Sequence, residues 1–162
     1  MTIDVLSALA LFALITSITP GPNNLMLMAS GANFGFARTV PHMMGITLGF
    51  MVMLLLVGFG LIRVFDAFPV IYSVLKILSL IYLIYLSYKI ATAAPVQSAD
   101  PNAKPLSFLQ AAGVQWVNPK AWAFGLSVIT IYVPSAGILP LVITALVVAV
   151  MALPSVTLWT LL

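Results

Sequence analysis

The segment from about Ile3 to Ala32 is long and apolar enough to cross a bilayer, yet its interior holds Thr19-Pro20-Gly21-Pro22-Asn23-Asn24. Each proline lacks a backbone donor and clashes with the turn before it, so a helix must break here. Hydrocarbon cannot repair the lost hydrogen bonds. Broken backbone survives at membrane depth only where it is buried in protein or lines a watery cavity. The remaining chain is therefore read as a scaffold around this break and any other like it.

The solvent is set by composition: of 162 residues, 63% are hydrophobic and 6% charged. A soluble domain carries roughly 25% charged residues. The expected fold is all-α, a polytopic helical membrane protein. With no cysteine, disulfides and thiolate metal sites are excluded. There is no glutamate, and the carboxylates are Asp4, Asp66 and Asp100. A net charge of +3 is too small and too scattered for nucleic acid. The amino-terminal run lacks a basic flank and outlasts a signal-peptide core, so it reads as a retained first span.

Spans of about 20 apolar residues are expected from about Asp4 to Gly31, Val40 to Ile62, Val70 to Ala91, Leu106 to Val133 and Ile138 to Leu162. A polar turn from Asn33 to Thr39 follows the first. Gly45 and Gly49 give the second a small-xxx-small face for close helix approach. Tyr82, Tyr85 and Tyr88, ending beside Lys89, read as an interfacial belt or a substrate-facing stripe. Pro154 suggests a kink in the last span. The composition between Ala93 and Pro105 is that of an aqueous linker. It divides residues 1–92, a first repeat of three spans, from residues 106–162, a second repeat of two spans whose sixth span is missing. Lys and Arg distribution favours a cytoplasmic first turn and linker, with a periplasmic amino terminus.

The fourth span repeats the layout of the first. It is interrupted at Asn118-Pro119-Lys120, and three spans separate the two starts, an odd number that inverts the topology. Interrupted segments at matching positions in two halves point to a transporter binding site. Asparagine is a favoured helix N-cap and proline a favoured first helical residue. Each break thus starts a half-helix whose dipole end suits an anion. Lys120 sits against its own helix dipole and, with no membrane carboxylate to pair it, calls for an external anion or, failing that, a lipid headgroup. The candidate substrate-binding residues are Pro20, Gly21, Pro22, Asn23, Asn24, Asn118, Pro119 and Lys120. An amino acid suits this set, its carboxylate taken by dipole ends, amides and Lys120, its ammonium by carbonyls freed at the breaks. His42 reads as a packing or interfacial residue, with proton coupling as the alternative and no second metal ligand in view.

Thr19-Pro20-Gly21-Pro22-Asn23-Asn24 with Gly35-Phe36 and Arg38, and then Asn118-Pro119-Lys120-Ala121, resembles the LysE/RhtB family of bacterial amino-acid exporters. The resemblance covers essentially the whole chain. It implies an inner-membrane secondary transporter of six spans, proton-driven, with the proline-asparagine motifs lining the path. Small neutral amino acids such as homoserine, threonine or cysteine derivatives fit the scarcity of acidic residues better than lysine or arginine. Expected partners are the amino-acid substrate and membrane lipids, with a homodimer left open and no cofactor required. A small ion or metal exporter or channel of similar architecture is the second reading. Metal export would want carboxylates, thiols or several histidines. An intramembrane enzyme would want a paired acid, base or nucleophile.

Overall fold

A computed structural model describes residues 1–61, 104–133 and 137–162, together with Ala67, Val70, Val74, Ile77, Ile81 and Ile84. Most of the expected third span, with its tyrosine stripe, and most of the Ala93 to Pro105 linker lie outside the described residues. Helices and their caps make up the described architecture, as expected of a helical membrane protein.

Helix α1 (Ile3–Ile18) opens on Thr2, whose hydroxyl accepts from the Val5 amide, with Asp4 in the first turn where a negative charge suits the dipole. It stops because Pro20 disfavours helical geometry at the residue before it. Thr19 is accordingly extended, at φ −60° and ψ 139°. Helix α2 (Pro22–Phe34) restarts with Pro22 as its first residue, bent by 60° from α1. Together they are apolar and long enough to form one broken span.

Between α2 and α3 (Phe36–Leu56) the structure leaves only Gly35, at φ 79°. The expected polar turn over Asn33 to Thr39 is corrected to this single residue. The Asn33 amide donates to the Ala29 carbonyl at 2.7 Å and the Thr39 hydroxyl to the Gly35 carbonyl at 2.9 Å. Polar side chains that bond back to the helix need no loop. Helical winding continues from α3 through a wider turn, Val57–Leu61, which Gly60 distorts at φ 144°. The stretch Phe36–Gly60 is long and apolar enough to span a membrane.

The second broken segment opens on a capping box at Ser107 and Gln110. Helix α4 (Phe108–Val114) tightens into a 3-10 turn, Gln115–Val117, before Asn118 turns extended. Helix α5 (Pro119–Tyr132) begins there, with Pro119 at its first position. Helix α6 (Ile138–Leu161) is also long and apolar enough to span, and its helical assignment continues through Pro154.

Packing follows the small residues. A Cβ at Gly45 would lie 2.4 Å from the Phe108 carbonyl oxygen, and one at Gly49 2.6 Å from the Ala112 Cα. The small-xxx-small face of α3 is therefore where α4 lies against it. Helix α6 packs on α1, α2 and α3. It runs parallel to α1, since Thr144 lies beside Met1, Ser155 beside Ser17 and Trp159 beside Ile18. One buried cluster joins Leu9, Phe50, Leu54, Trp122, Val128 and Val148. A second joins Leu27, Met43, Ile46, Ala111 and Val156. The breaks fall between the two.

Candidate functional site

The two broken segments run in opposite directions with their breaks at one level. Ala8 meets Tyr132, Phe12 meets Phe124 edge-on, Thr19 meets Lys120, and Asn23 meets Gln115. Residue numbers rise along one partner and fall along the other. Two local chain defects thus share one place.

A cavity opens between them, its interior admitting the centre of a water molecule over about 70 Å³. At roughly 10–15 Å³ for one such water position, that is space for about five waters or a small polar ligand. Of the sequence-predicted residues, Gly21, Asn23, Asn24, Asn118 and Lys120 line it, whereas Pro20, Pro22 and Pro119 do not. The prolines shape the breaks and leave the wall to their neighbours. Ile46, Phe50, Phe124 and Val156 supply apolar wall, and Thr16, Ser17, Thr47 and Ser155 supply hydroxyls. Among the described residues no carboxylate lines the cavity.

The carbonyls freed at the end of α1 are already occupied. Asn24, 6% exposed, donates its amide to the Ser17 carbonyl at 2.8 Å and the Thr19 carbonyl at 2.9 Å. The Ser155 hydroxyl also donates to the Ser17 carbonyl, at 2.8 Å, and the Trp159 indole to the Ile18 carbonyl, at 3.0 Å. Lys120 completes the set by donating its ammonium to the Thr19 carbonyl. This corrects the expectation that Lys120 lacks a partner within the protein. It sits at the start of α5, against that dipole, but its charge is delivered to the carbonyl end of α1, where a cation is favoured. Room for its stem depends on Gly21: a Cβ there would stand 2.8 Å from the Lys120 Cδ.

Gln115 is the main residue that motif reading misses. It is 1% exposed, and its side chain exchanges hydrogen bonds with the Asn23 amide, at 2.9 Å in one direction and 3.4 Å in the other. The Gln115 Nε2 also donates to the Ala111 carbonyl at 3.0 Å. Its signal in the sequence is a lone amide in an apolar run, three residues before Asn118. Asn118 itself caps α5, its side-chain oxygen accepting from the Lys120 amide at 3.0 Å. No side chain caps the start of α2, where the backbone N–H groups of Asn23 and Asn24 lie.

His42 lies 2% exposed in α3, with no hydrogen-bond partner at Nδ1 and outside the cavity wall. Its surroundings are packed protein, not an interface with headgroups. Among the described residues no group of three or more His, Cys, Asp or Glu is placed to hold a metal ion.

A family model described as LysE type translocator matches residues 14–162. The cysteine/O-acetylserine efflux protein of Salmonella choleraesuis (strain SC-B67) is 35% identical over 138 residues, covering 82% of this chain and 68% of the relative. The protein of that name in Salmonella typhimurium (strain LT2) aligns with the same identity and coverage. That of Escherichia coli (strain K12) is 34% identical over 136 residues, again covering 82% and 68%. No solved structure matches the chain.

Proposed function

The chain belongs to the LysE type translocator family, and on that premise we propose that it exports small neutral amino acids through a site at its two facing helix breaks. It is a bacterial membrane transporter and not an enzyme. The proposed substrates are cysteine, O-acetylserine and relatives of similar size, by likeness to the efflux proteins it aligns with. The membrane is the bacterial inner membrane, the amino terminus is periplasmic, and export is coupled to the proton gradient. Two oppositely oriented repeats, residues 1–92 and 106–162, joined by a cytoplasmic linker, are the frame of this reading.

One observation carries it. A cavity with no carboxylate among the described residues of its wall is lined by Lys120, by the amides of Asn23, Gln115 and Asn118, and by the uncapped start of α2. The donors suit a carboxylate. The absence of acidic groups from that wall disfavours cationic amino acids, and the small volume favours small ones. Gln115 joins the predicted site residues, and Asn24 is reassigned to holding the break itself.

The test is export from cells overproducing the full-length protein and loaded with single amino acids. Cysteine and O-acetylserine are expected to leave faster than from control cells, lysine and arginine no faster. Asn23→Ala is expected to slow export by about tenfold, since it removes a cavity amide and strands its Gln115 partner. Equal rates in producing and control cells for every amino acid would end the exporter reading.

A further inference from the structure

Among the described residues, four side chains close the Ser17, Ile18 and Thr19 carbonyls at the end of α1, and one of them is unlike the others. Asn24, Ser155 and Trp159 are neutral donors, while Lys120 brings a full charge to the Thr19 carbonyl. The Lys120 side chain is half-buried, lines the cavity and, among the described residues, has no carboxylate in that wall to neutralise it. The stem passes over Gly21, where a Cβ would stand 3.2 Å from the ammonium nitrogen itself. Lys120 is thus seated in the first break, although it belongs to the second.

An amino-acid substrate carries both halves of what this arrangement lacks. Its ammonium is the same chemical group as the one Lys120 presents to Thr19, and its carboxylate is the counter-ion that no described residue of the wall gives Lys120. We infer that Lys120 is a displaceable stand-in for the substrate ammonium. With no substrate bound it closes the Thr19 carbonyl. The carboxylate of a zwitterion draws it off, and the substrate ammonium takes its place at that carbonyl. One N–H···O bond replaces another, and a charge-assisted pair between Lys120 and the carboxylate is gained. The exchange rests on the exporter reading of the same cavity and adds a rule to it: the substrate must carry both groups. An amine alone competes with Lys120 without drawing it away. A carboxylate alone removes Lys120 and leaves the Thr19 carbonyl without its cationic donor.

The full-length protein in liposomes, under reducing conditions, tests this with three probes: cysteine, cysteinamide, which has no carboxylate, and 2-hydroxy-3-mercaptopropanoate, which has no ammonium. The parent is expected to export cysteine at least about tenfold faster than either analogue, the scale of one charge-assisted hydrogen bond. In Lys120→Met the Thr19 carbonyl keeps its bond from Asn24 but has a free acceptor position for any ammonium, so the preference for cysteine over cysteinamide is expected to collapse. Lys120→Arg should keep it. Gly21→Ala, which crowds the Lys120 stem without removing its charge, should lower the same ratio. An unchanged ratio in Lys120→Met and Gly21→Ala would overturn the exchange, as would a Lys120→Met protein that exports none of the three beside an unaltered ratio in Gly21→Ala. If the parent itself moves no probe, the exporter reading falls, and the exchange with it.

Discussion

The two breaks meet the same chemical need by different means. At the first, the Ser17, Ile18 and Thr19 carbonyls are closed by Asn24 from α2, Lys120 from α5, and Ser155 and Trp159 from α6. At the second, the closing groups are neighbours in the chain. Asn118 accepts from the amide two residues on, and Trp122 donates its indole N–H to the Trp116 carbonyl six residues back at 2.9 Å. The second break can form as soon as its own turn folds. The first is complete only when α2, α5 and α6 have docked. A break held by remote elements feels their movement, which is what a carrier needs at the proposed place of substrate binding. Lys120 is where the two designs meet, built into the local one and bonded to the remote one.

The largest expected difference between the breaks lies in their asparagines. Asn24→Ala removes two donors at once and leaves a buried gap, so a loss of about 2–3 kcal/mol is expected. Asn118→Ala removes a helix N-cap, with an expected loss of about 1 kcal/mol. Thermal unfolding of the two purified variants in detergent would show Asn24→Ala melting well below Asn118→Ala. If Asn118→Ala were the weaker protein, the second break would not be the self-sufficient one.

That contrast also marks what could be read from the letters. The place of both breaks was legible, because the constraints that proline and asparagine impose on their neighbours are local, although the half-helices restart at Pro22 and Pro119, inside the interrupted stretches. That no carboxylate is among the described residues of the cavity wall accords with a composition holding no glutamate. The partner of Lys120 was not legible, since it is a main-chain carbonyl 101 residues away, and a carbonyl leaves no trace in the sequence. Weighing only carboxylates as partners left Lys120 looking unpaired. Gln115 escaped for a related reason: its importance comes from Asn23, 92 residues distant. Polar letters predict a turn over Asn33 to Thr39 only if their side chains face solvent, whereas Thr39 is fully buried against Ser30, hydroxyl to hydroxyl at 3.0 Å.

A smaller effect is expected where the breaks touch through neutral groups. Gln115→Leu keeps the size and burial of the side chain but leaves the Asn23 amide without its partner across the cavity. The expected stability loss is about 1–2 kcal/mol. Export of cysteine should fall by more than the folded fraction does, because Asn23 then faces the substrate in an unfixed orientation. Export per folded protein, counted from fluorescence-detected chromatography, separates the two. Parental export per folded molecule would make the amide pair a structural tie only.

The smallest effect sharpens the comparison most, because it tests whether the remote caps act together. The Ser17 carbonyl has two donors, Asn24 and Ser155. Removing the hydroxyl in Ser155→Ala leaves the carbonyl still bonded to Asn24, so a loss of only about 0.5–1 kcal/mol is expected. In Asn24→Ala the same change strips the last described donor from that carbonyl and should cost about 1 kcal/mol more than it does alone. A double-mutant cycle on thermal stability reads this excess directly. The matching cycle between Asn118→Ala and Ser155→Ala, which serve different breaks and share no described hydrogen-bond partner, should be additive to within about 0.5 kcal/mol. Coupling in the first cycle without coupling in the second is the signature of one break held from outside and one held from within.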